Sequence, residues 1–113
     1  MIEVKKLQRA DHTEIQVKGE VDASSSIELD NALQSSLDES KKIIVDLENL
    51  EYISSAGLGV FISYLEEIKS KEIKLVLCNM KPKVYDVFKI LGLENLMEIV
   101  NTKEEAEQAL NEA

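Results

Sequence analysis

Hydrophobic residues in this chain fall into short apolar runs separated by stretches with helical spacing. Residues 43–47 form a nearly continuous apolar run, which is typical of a strand covered on both faces of a parallel sheet. The next apolar residues follow the i, i+3, i+4, i+7 spacing of one helical face, namely Leu58, Phe61, Ile62 and Leu65. The pattern therefore predicts a central strand followed by a helix from about Ala56 to Lys69.

Shorter segments predict the remaining strands. Apolar residues are interleaved with polar ones over 2–7 and again over 15–21, which predicts a β-hairpin that turns at residues 9–12. Residues 73–77 and 96–100 are largely apolar and have the length of strands. We therefore expect four further strands, with the hairpin at one edge of a sheet.

Capping signals mark where three more helices begin and end. Two stretches have the spacing of a capping box, Ser25–Glu28 and Thr102–Glu105, so a first helix should begin near Asp22 and a last helix after residue 102. Between them, Pro82 suits the first position of a helix and Gly92 suits its end. The apolar faces predicted for these helices are, in order, Leu29, Ala32, Leu33 and Leu37; Val84, Val87, Phe88 and Leu91; and Ala106, Ala109, Leu110 and Ala113.

The predicted order of elements is ββαβαβαβα within one domain at residues 1–113. Strands that alternate with helices imply right-handed crossovers into a mostly parallel sheet, with the first strand as the antiparallel exception. Functional crevices in such sheets lie beyond the carboxyl ends of the strands, so the loops after Val21 and Leu47 should open on the same side. We therefore expect an α/β domain with a mixed, mostly parallel β-sheet, helices packed on it, and Asp22 close to Ser55.

Composition and charge mainly exclude classes of partner. The formal net charge of −9 disfavours a nucleic acid or an anionic membrane surface as a partner, because binding either requires a clustered basic face. The chain has no apolar stretch long enough to cross a bilayer and no apolar signal segment at its start. Cys78 is the single cysteine, so no internal disulfide can form. We expect a cytoplasmic protein that contacts no membrane directly.

The serine pair Ser54 and Ser55 lies where the helix after the central strand begins. A serine at this position accepts a hydrogen bond from an unpaired N–H group of the first helical turn. The small residues Ala56 and Gly57 leave those N–H groups accessible. The position also suits an anion, because a phosphate on a serine there would meet the positive end of the helix dipole. Capping alone would be the simplest role for both serines.

Three kinds of catalytic or ligand site do not fit the sequence. A serine hydrolase needs a base beside its nucleophile, but His12, the single histidine, falls in the predicted hairpin turn at the opposite end from the serines. Gly57-Leu58-Gly59 begins like a dinucleotide-binding fingerprint, but Ile62 stands where the third glycine belongs. The acidic residues have no His or Cys close enough to complete a metal site. We therefore expect no enzymatic activity, no cofactor and no metal.

Three segments together resemble the STAS domain family, which includes the anti-sigma factor antagonists of bacteria. They are DLENLEYISSAGLGVF at 46–61, GEVD at 19–22 and KPKVYDVFKILGL at 81–93. The similarity extends over nearly the whole chain. It implies a single STAS-like domain with the serine loop at the start of a helix.

The serine loop of the family typically reads Asp-Ser-Ser/Thr-Gly-Leu-Gly, and its first hydroxyl residue is phosphorylated. With the chain aligned on Gly57-Leu58-Gly59, the resemblance implies Ser55 as the phosphorylated residue. Ser54 stands where the family has its aspartate and offers a second candidate hydroxyl, and Ala56 replaces the second hydroxyl residue. The resemblance implies a partner-binding set of Asp22, Ser24, Ser54, Ser55, Ala56, Gly57 and Leu58.

The resemblance also implies a mechanism. The unmodified protein would bind an anti-sigma factor that is also a serine kinase and so release the sigma factor, phosphorylation would end this binding, and a serine phosphatase would restore it. An alternative is a STAS adaptor that is never phosphorylated and serves a larger assembly such as a membrane transport complex; the missing aspartate at position 54 favours it. The sequence leaves the oligomeric state open between a monomer and a weak dimer.

Overall fold

In the computed structural model, which describes residues 2–112, the N-terminal segments form the predicted hairpin. β1 (Ile2–Gln8) and β2 (Thr13–Val21) pair antiparallel, and residues 9–12 make the turn between them. The prediction that the first strand is the antiparallel one is confirmed, and β1 lies at the edge of the sheet.

The parallel part of the sheet follows in the order β2, β3, β5, β6. It consists of β3 (Lys42–Asp46), β5 (Lys74–Cys78) and β6 (Glu98–Val100), each parallel to its neighbour. Residues 43–45 are completely buried, as their continuous apolar pattern predicts for a strand covered on both faces. The predicted mixed, mostly parallel sheet is therefore confirmed.

A sixth strand, β4 (Leu50–Ile53), was not predicted. It runs parallel to the last three residues of β2, whereas residues 13–16 of β2 pair with β3. The register shifts between Gly19 and Glu20, where β2 changes its neighbour. The predicted order of elements lacked this strand because Leu50 and Ile53 are buried while both residues between them are exposed, a pattern without the alternation of a half-buried strand.

The helices cover both faces of the sheet. α1 (Ser26–Glu39), α2 (Ser55–Ser63) and α4 (Pro82–Ile90) bury residues in one large apolar core, in which the Phe61 and Phe88 rings lie 5.8 Å apart between centroids. α5 (Lys103–Leu110) covers the other face. It packs small residues against the sheet in a second cluster of Ile44, Val76, Cys78, Ala106, Ala109 and Leu110.

The helix predicted from Ala56 to Lys69 is divided at Tyr64 into α2 and α3 (Leu65–Ser70). Tyr64 has φ of −100° and ψ of −2°, its ring is buried, and its hydroxyl donates a hydrogen bond to the carboxylate of Asp30 on α1. Burial raises the pKa of the Tyr64 hydroxyl, so this donor stays protonated. Ile62 on α2 is exposed to solvent, although its spacing had predicted a core position.

The capping predictions had mixed outcomes. Thr102 and Glu105 form the predicted box, because the N–H of each donates to the side chain of the other at 3.1 Å. The box predicted for Ser25–Glu28 was wrong, since Ser25 makes no side-chain cap on α1. Pro82 begins α4, and Gly92 follows it with φ of 73°, as predicted. Leu91 is half-exposed instead of buried, and Ala113 lies outside the described residues.

A buried ionic cluster holds the start of α5 on the sheet. The Nζ atom of Lys103 lies 2.7 Å from Glu14 Oε2 and 3.1 Å from Asp46 Oδ2, and the side chains of these two acids are only 1% and 7% exposed. Burial acts to raise the pKa of Glu14, but hydrogen bonds from Lys103, Gln16 and Arg9 hold it below its ordinary value. The second oxygen of Asp46 accepts the backbone N–H of Glu48 at 3.1 Å. The cluster therefore links α5 to the chain that leads into β4.

Candidate functional site

The serine loop lies at the carboxyl end of β4, and its two serines have different positions. Ser54 is the N-cap of α2, and its Oγ atom accepts a hydrogen bond from the backbone N–H of Gly57 at 3.3 Å. Its carbonyl oxygen accepts the first helical bond, from the N–H of Leu58 at 3.0 Å. Ser54 therefore performs the capping role that the sequence predicted for the pair.

Ser55 is the first residue of α2, and its side chain is exposed to solvent. Within residues 2–112, the Ser55 hydroxyl has no hydrogen-bond partner, so it is not needed as a cap. A group attached to this oxygen would extend into solvent next to the positive end of the α2 dipole. The structure thus leaves Ser55 as the accessible hydroxyl of the pair.

Gly57 allows α2 to begin close to the ends of two strands. A Cβ atom at this position would lie 2.7 Å from Cγ1 of Val21 and 2.7 Å from Cγ1 of Ile53, closer than real carbon contacts. A Cβ atom at Gly59, in contrast, would meet nothing within 4 Å. The first glycine is therefore required by packing inside the domain, whereas the second faces open space.

The loop after β2 is organised by the carboxylate of Asp22. Its Oδ1 atom accepts hydrogen bonds from the backbone N–H and hydroxyl of Ser24, at 3.0 and 2.7 Å, and from the same two groups of Ser25, both at 3.0 Å. In return, the N–H of Asp22 donates to Ser25 Oγ at 2.9 Å. These bonds, led by the Ser24 hydroxyl, hold the pKa of Asp22 below its usual range. The site therefore carries a fixed negative charge at neutral pH.

One backbone hydrogen bond brings the Asp22 loop and the serine loop together. The N–H of Ser54 donates to the carbonyl oxygen of Val21 at 2.8 Å, one step beyond the Val21–Ile53 pair of β2 and β4. The expected proximity of the Asp22 and Ser55 loops is thus confirmed. The strand that delivers the serines is β4 and not the central strand β3.

Two of the residues implied for partner binding do not present a side chain to solvent. Leu58 is buried in the core and Gly57 is buried against the strand ends, so they set the position of α2. Gly59 and Ile62 are exposed instead. They follow Ser55 by four and seven residues and therefore share its helical face. Sequence reasoning counted this spacing from Leu58, and counting it from Ser55 would have found both residues.

The geometry does not assemble a catalytic triad or a metal site from the candidates considered. His12 lies before the first residue of β2, while Ser55 lies beyond its last, so the two are separated by roughly 25 Å of extended strand. Within residues 2–112, no three His, Cys, Asp or Glu side chains are grouped to hold a metal ion. In the same part of the chain, no helix has the length and apolarity needed to span a membrane.

Comparison with known proteins identifies the family. A family model described as the STAS domain matches residues 2–106. An anti-sigma-B factor antagonist of Listeria monocytogenes is 32% identical over 105 residues, which cover 92% of this chain and 91% of the relative.

Solved structures share the fold at lower identity. A crystal structure of an anti-sigma factor antagonist from Mycobacterium paratuberculosis has a TM-score of 0.91 at 20% identity, covering 99% of this chain and 96% of that one. The Bacillus cell fate determinant SpoIIAA in its phosphorylated form has a TM-score of 0.68 at 22% identity, with 96% and 97% of the two chains covered. The match over residues 2–106, together with the similarity to the Listeria relative, shows that this chain belongs to the STAS domain family.

Proposed function

We propose that this protein is an anti-sigma factor antagonist whose binding is switched by phosphorylation of Ser55. The observation that carries the proposal is the exposed, unbonded hydroxyl of Ser55 at the first position of α2. The relatives support this function, because the Listeria protein is called an anti-sigma-B factor antagonist. The protein would act in the cytoplasm as a binding partner and not as an enzyme.

The switch follows from the chemistry of the site. The unmodified chain binds an anti-sigma factor that is also a serine kinase, which frees the sigma factor. Transfer of the γ-phosphoryl group of ATP to the Ser55 oxygen adds a charge of about −1.5 to −2 beside the ionised Asp22. A partner surface formed around a neutral hydroxyl then has to desolvate the added phosphate next to the charge of Asp22, and about 1.4 kcal/mol of that cost already weakens binding tenfold. A serine phosphatase reverses the change.

The domain itself tolerates the phosphate. Ser55 already lies outside the core, and the first-turn N–H groups and the dipole of α2 favour an anion at this end. The fold is therefore the same in both states, and the modification acts on the partner. The binding surface comprises the exposed parts of the two loops, at Asp22, Ser24, Ser54, Ser55 and Ala56, with Gly57 and Leu58 holding the helix in position.

The experiment is an intact-mass measurement of the protein and two variants purified from the native cells. We expect one phosphate on the wild type and on Ser54→Ala, and none on Ser55→Ala. Ser55→Ala should still bind the kinase, whereas Ser55→Asp should bind at least tenfold more weakly. Ser54→Ala is the matched control, since it removes the neighbouring hydroxyl and keeps the proposed acceptor.

Two outcomes would contradict the assignment. Phosphate that persists in Ser55→Ala and disappears in Ser54→Ala would place the acceptor one residue earlier. A wild type without phosphate that binds a partner tightly would favour the adaptor function, in which the domain is a permanently bound subunit of a larger assembly. The observation that favours this second function is Ser54, which stands where the family has an aspartate.

A further inference from the structure

Three exposed apolar side chains lie around the turn at Gly92, away from the serine loop. Ile90 on the last turn of α4 is 81% exposed, and Leu96, just after the 3₁₀ helix Leu93–Asn95, is 63% exposed. Leu91 between them is also largely exposed. Large apolar side chains this exposed and this close in sequence form a patch that single surface residues do not. We call residues 90–96 the apolar segment.

An apolar recess lies next to this segment. Two adjoining cavities of about 140 and 400 Å³ separate α3 from the chain that enters β6, and they share Leu65, Ile68 and Leu96. The floor of the smaller cavity is formed by Ile73, Leu75 and Met97. We call this recess the α3–β6 groove. It lies where β5 and β6 begin, at the amino ends of the parallel strands, whereas Ser55 lies at the carboxyl end.

The charges that border the groove cancel, whereas the chain as a whole is strongly acidic. The α3–β6 groove is bordered by two acids, Glu66 and Glu98, and two bases, Lys69 and Lys74. The apolar segment itself contains one charged residue, Glu94. Removing the two acids and two bases of the groove leaves the formal net charge of −9 on the remainder of the chain. The groove therefore offers no matching field to a strongly cationic or a strongly anionic partner.

We propose that this face joins two copies of the protein, with Ile90 and Leu91 of each copy lying in the α3–β6 groove of the other, which Leu96 helps to line. A two-fold interface requires a self-complementary surface, and an exposed apolar segment beside an apolar groove satisfies that requirement. The balanced charges of the groove also let two molecules of the same net charge meet while their acidic surfaces point apart. Both Ser55 sites stay accessible, so the dimer presents two switch surfaces and extends the proposed function without depending on it.

The association should be weak. A stable interface covers about 800 Å² on each partner, or about an eighth of the 6282 Å² of accessible surface of this domain, which is more than a few exposed apolar side chains supply. The two copies also repel each other at long range, and dissolved salt screens this repulsion. We therefore expect the dimer to form with increasing protein concentration and to become tighter as the salt concentration is raised, the reverse of an interface held by ion pairs.

Sedimentation velocity on the full chain tests the proposal, at increasing protein concentration and at low and high salt. The wild type should shift from monomer to dimer, and the double variant Ile90→Glu with Leu96→Glu should weaken association at least tenfold. Ile27→Glu is the matched control, because Ile27 is 62% exposed on α1, outside the proposed face, and this variant should dimerise like the wild type. Unchanged thermal unfolding would establish that the variants are folded.

A wild type that stays monomeric at every concentration and salt condition would overturn the proposal. Dimerisation of the double variant with the affinity of the wild type would also overturn it, by placing the interface elsewhere. Neither result affects the phosphorylation of Ser55, which is measured on the mass of the single chain.

Discussion

The Oγ atom of Ser54 accepts the backbone N–H of Gly57 at 3.3 Å, which makes Ser54 the cap of the helix that Ser55 begins. The two adjacent serines thus have separate roles, one in stability and one at the surface. A change at one residue should therefore leave the role of the other nearly intact.

Ser54→Ala should lower the free energy of unfolding by about 1 kcal/mol, because it removes the side-chain acceptor of the first helical turn. Ser55→Ala should change it by less than about 0.5 kcal/mol, because the Ser55 hydroxyl is exposed and caps nothing. Urea unfolding of both variants provides the comparison. Equal losses would mean that the two serines share the cap.

Replacing each of the two glycines of α2 by alanine should change the stability of the domain in opposite directions. Gly57→Ala should destabilise the domain by about 1 to 3 kcal/mol, since its Cβ would overlap Val21 and Ile53 at 2.7 Å. Gly59→Ala should stabilise it by up to about 1 kcal/mol, because its Cβ meets nothing and alanine favours the helix. Thermal and urea unfolding would measure both changes, and a destabilised Gly59→Ala would refute the open environment of Gly59.

Phe61 anchors α2 in the core. Phe61→Ala should cost about 3 to 5 kcal/mol, because the ring is buried and packs against Phe88. The neighbouring Ile62→Ala is the control, and it should cost less than about 1 kcal/mol, because Ile62 faces solvent. A melting temperature of Phe61→Ala equal to that of the wild type would mean that α2 is rotated about its axis.

The ionic cluster at Lys103 predicts that replacing this lysine destabilises the fold by an amount that depends on pH. The hydrogen bonds that lower the pKa of Glu14 stabilise the fold above the ordinary pKa of this group, and the contribution is lost as the pH falls through the folded value. The pKa of Lys103, which burial acts to lower and the bonds to Glu14 and Asp46 raise, is above its ordinary value, so its contribution is complete below that value. Both contributions are therefore present at neutral pH.

Lys103→Met should lower the free energy of unfolding by about 2 to 4 kcal/mol near neutral pH, somewhat less than for a fully buried pair because Lys103 is partly exposed. The loss should shrink near pH 5, where Glu14, which keeps only its bonds from Gln16 and Arg9, takes up a proton more readily. Urea unfolding across this pH range would show it, with the exposed Lys5→Met as the control. A loss that does not depend on pH would indicate that Lys103 acts through packing alone.

Sequence reasoning recovered the features of this fold that depend on neighbours along the chain. The buried run at Ile43–Val45, the start of α2 and the Thr102–Glu105 capping box all follow from local spacing. The break of the helix at Tyr64 did not, because its hydroxyl is bonded to Asp30, 34 residues earlier. Lys103 and Glu14 are 89 residues apart in the sequence, and no local pattern predicts that they pair.

The candidate site shows the same division. The sequence predicted that the serine pair and the Asp22 loop are neighbours, because the carboxyl ends of parallel strands lie at the same end of a sheet. It did not distinguish the cap from the exposed hydroxyl, since this depends on the backbone angles of Ser54, which are extended at φ of −88° and ψ of 172°. The exposure of Ile62 was missed because the apolar spacing was counted from Leu58, whereas Ile62 lies on the helical face of the exposed Ser55.

Because β2 changes its neighbour along its length, β4 and the serine loop can open locally while the rest of the sheet stays folded. β4 pairs only with the last three residues of β2 among the described strands, whereas β3 is held by strands on both sides. Opening β4 breaks few backbone hydrogen bonds and leaves the remaining strands in place, so it requires less free energy than global unfolding. The amides of residues 50–53 should accordingly exchange with deuterium faster than those of residues 43–46. The segment that delivers Ser55 can then open more readily than the central strand β3, which would help Ser55 to enter the active site of the proposed kinase.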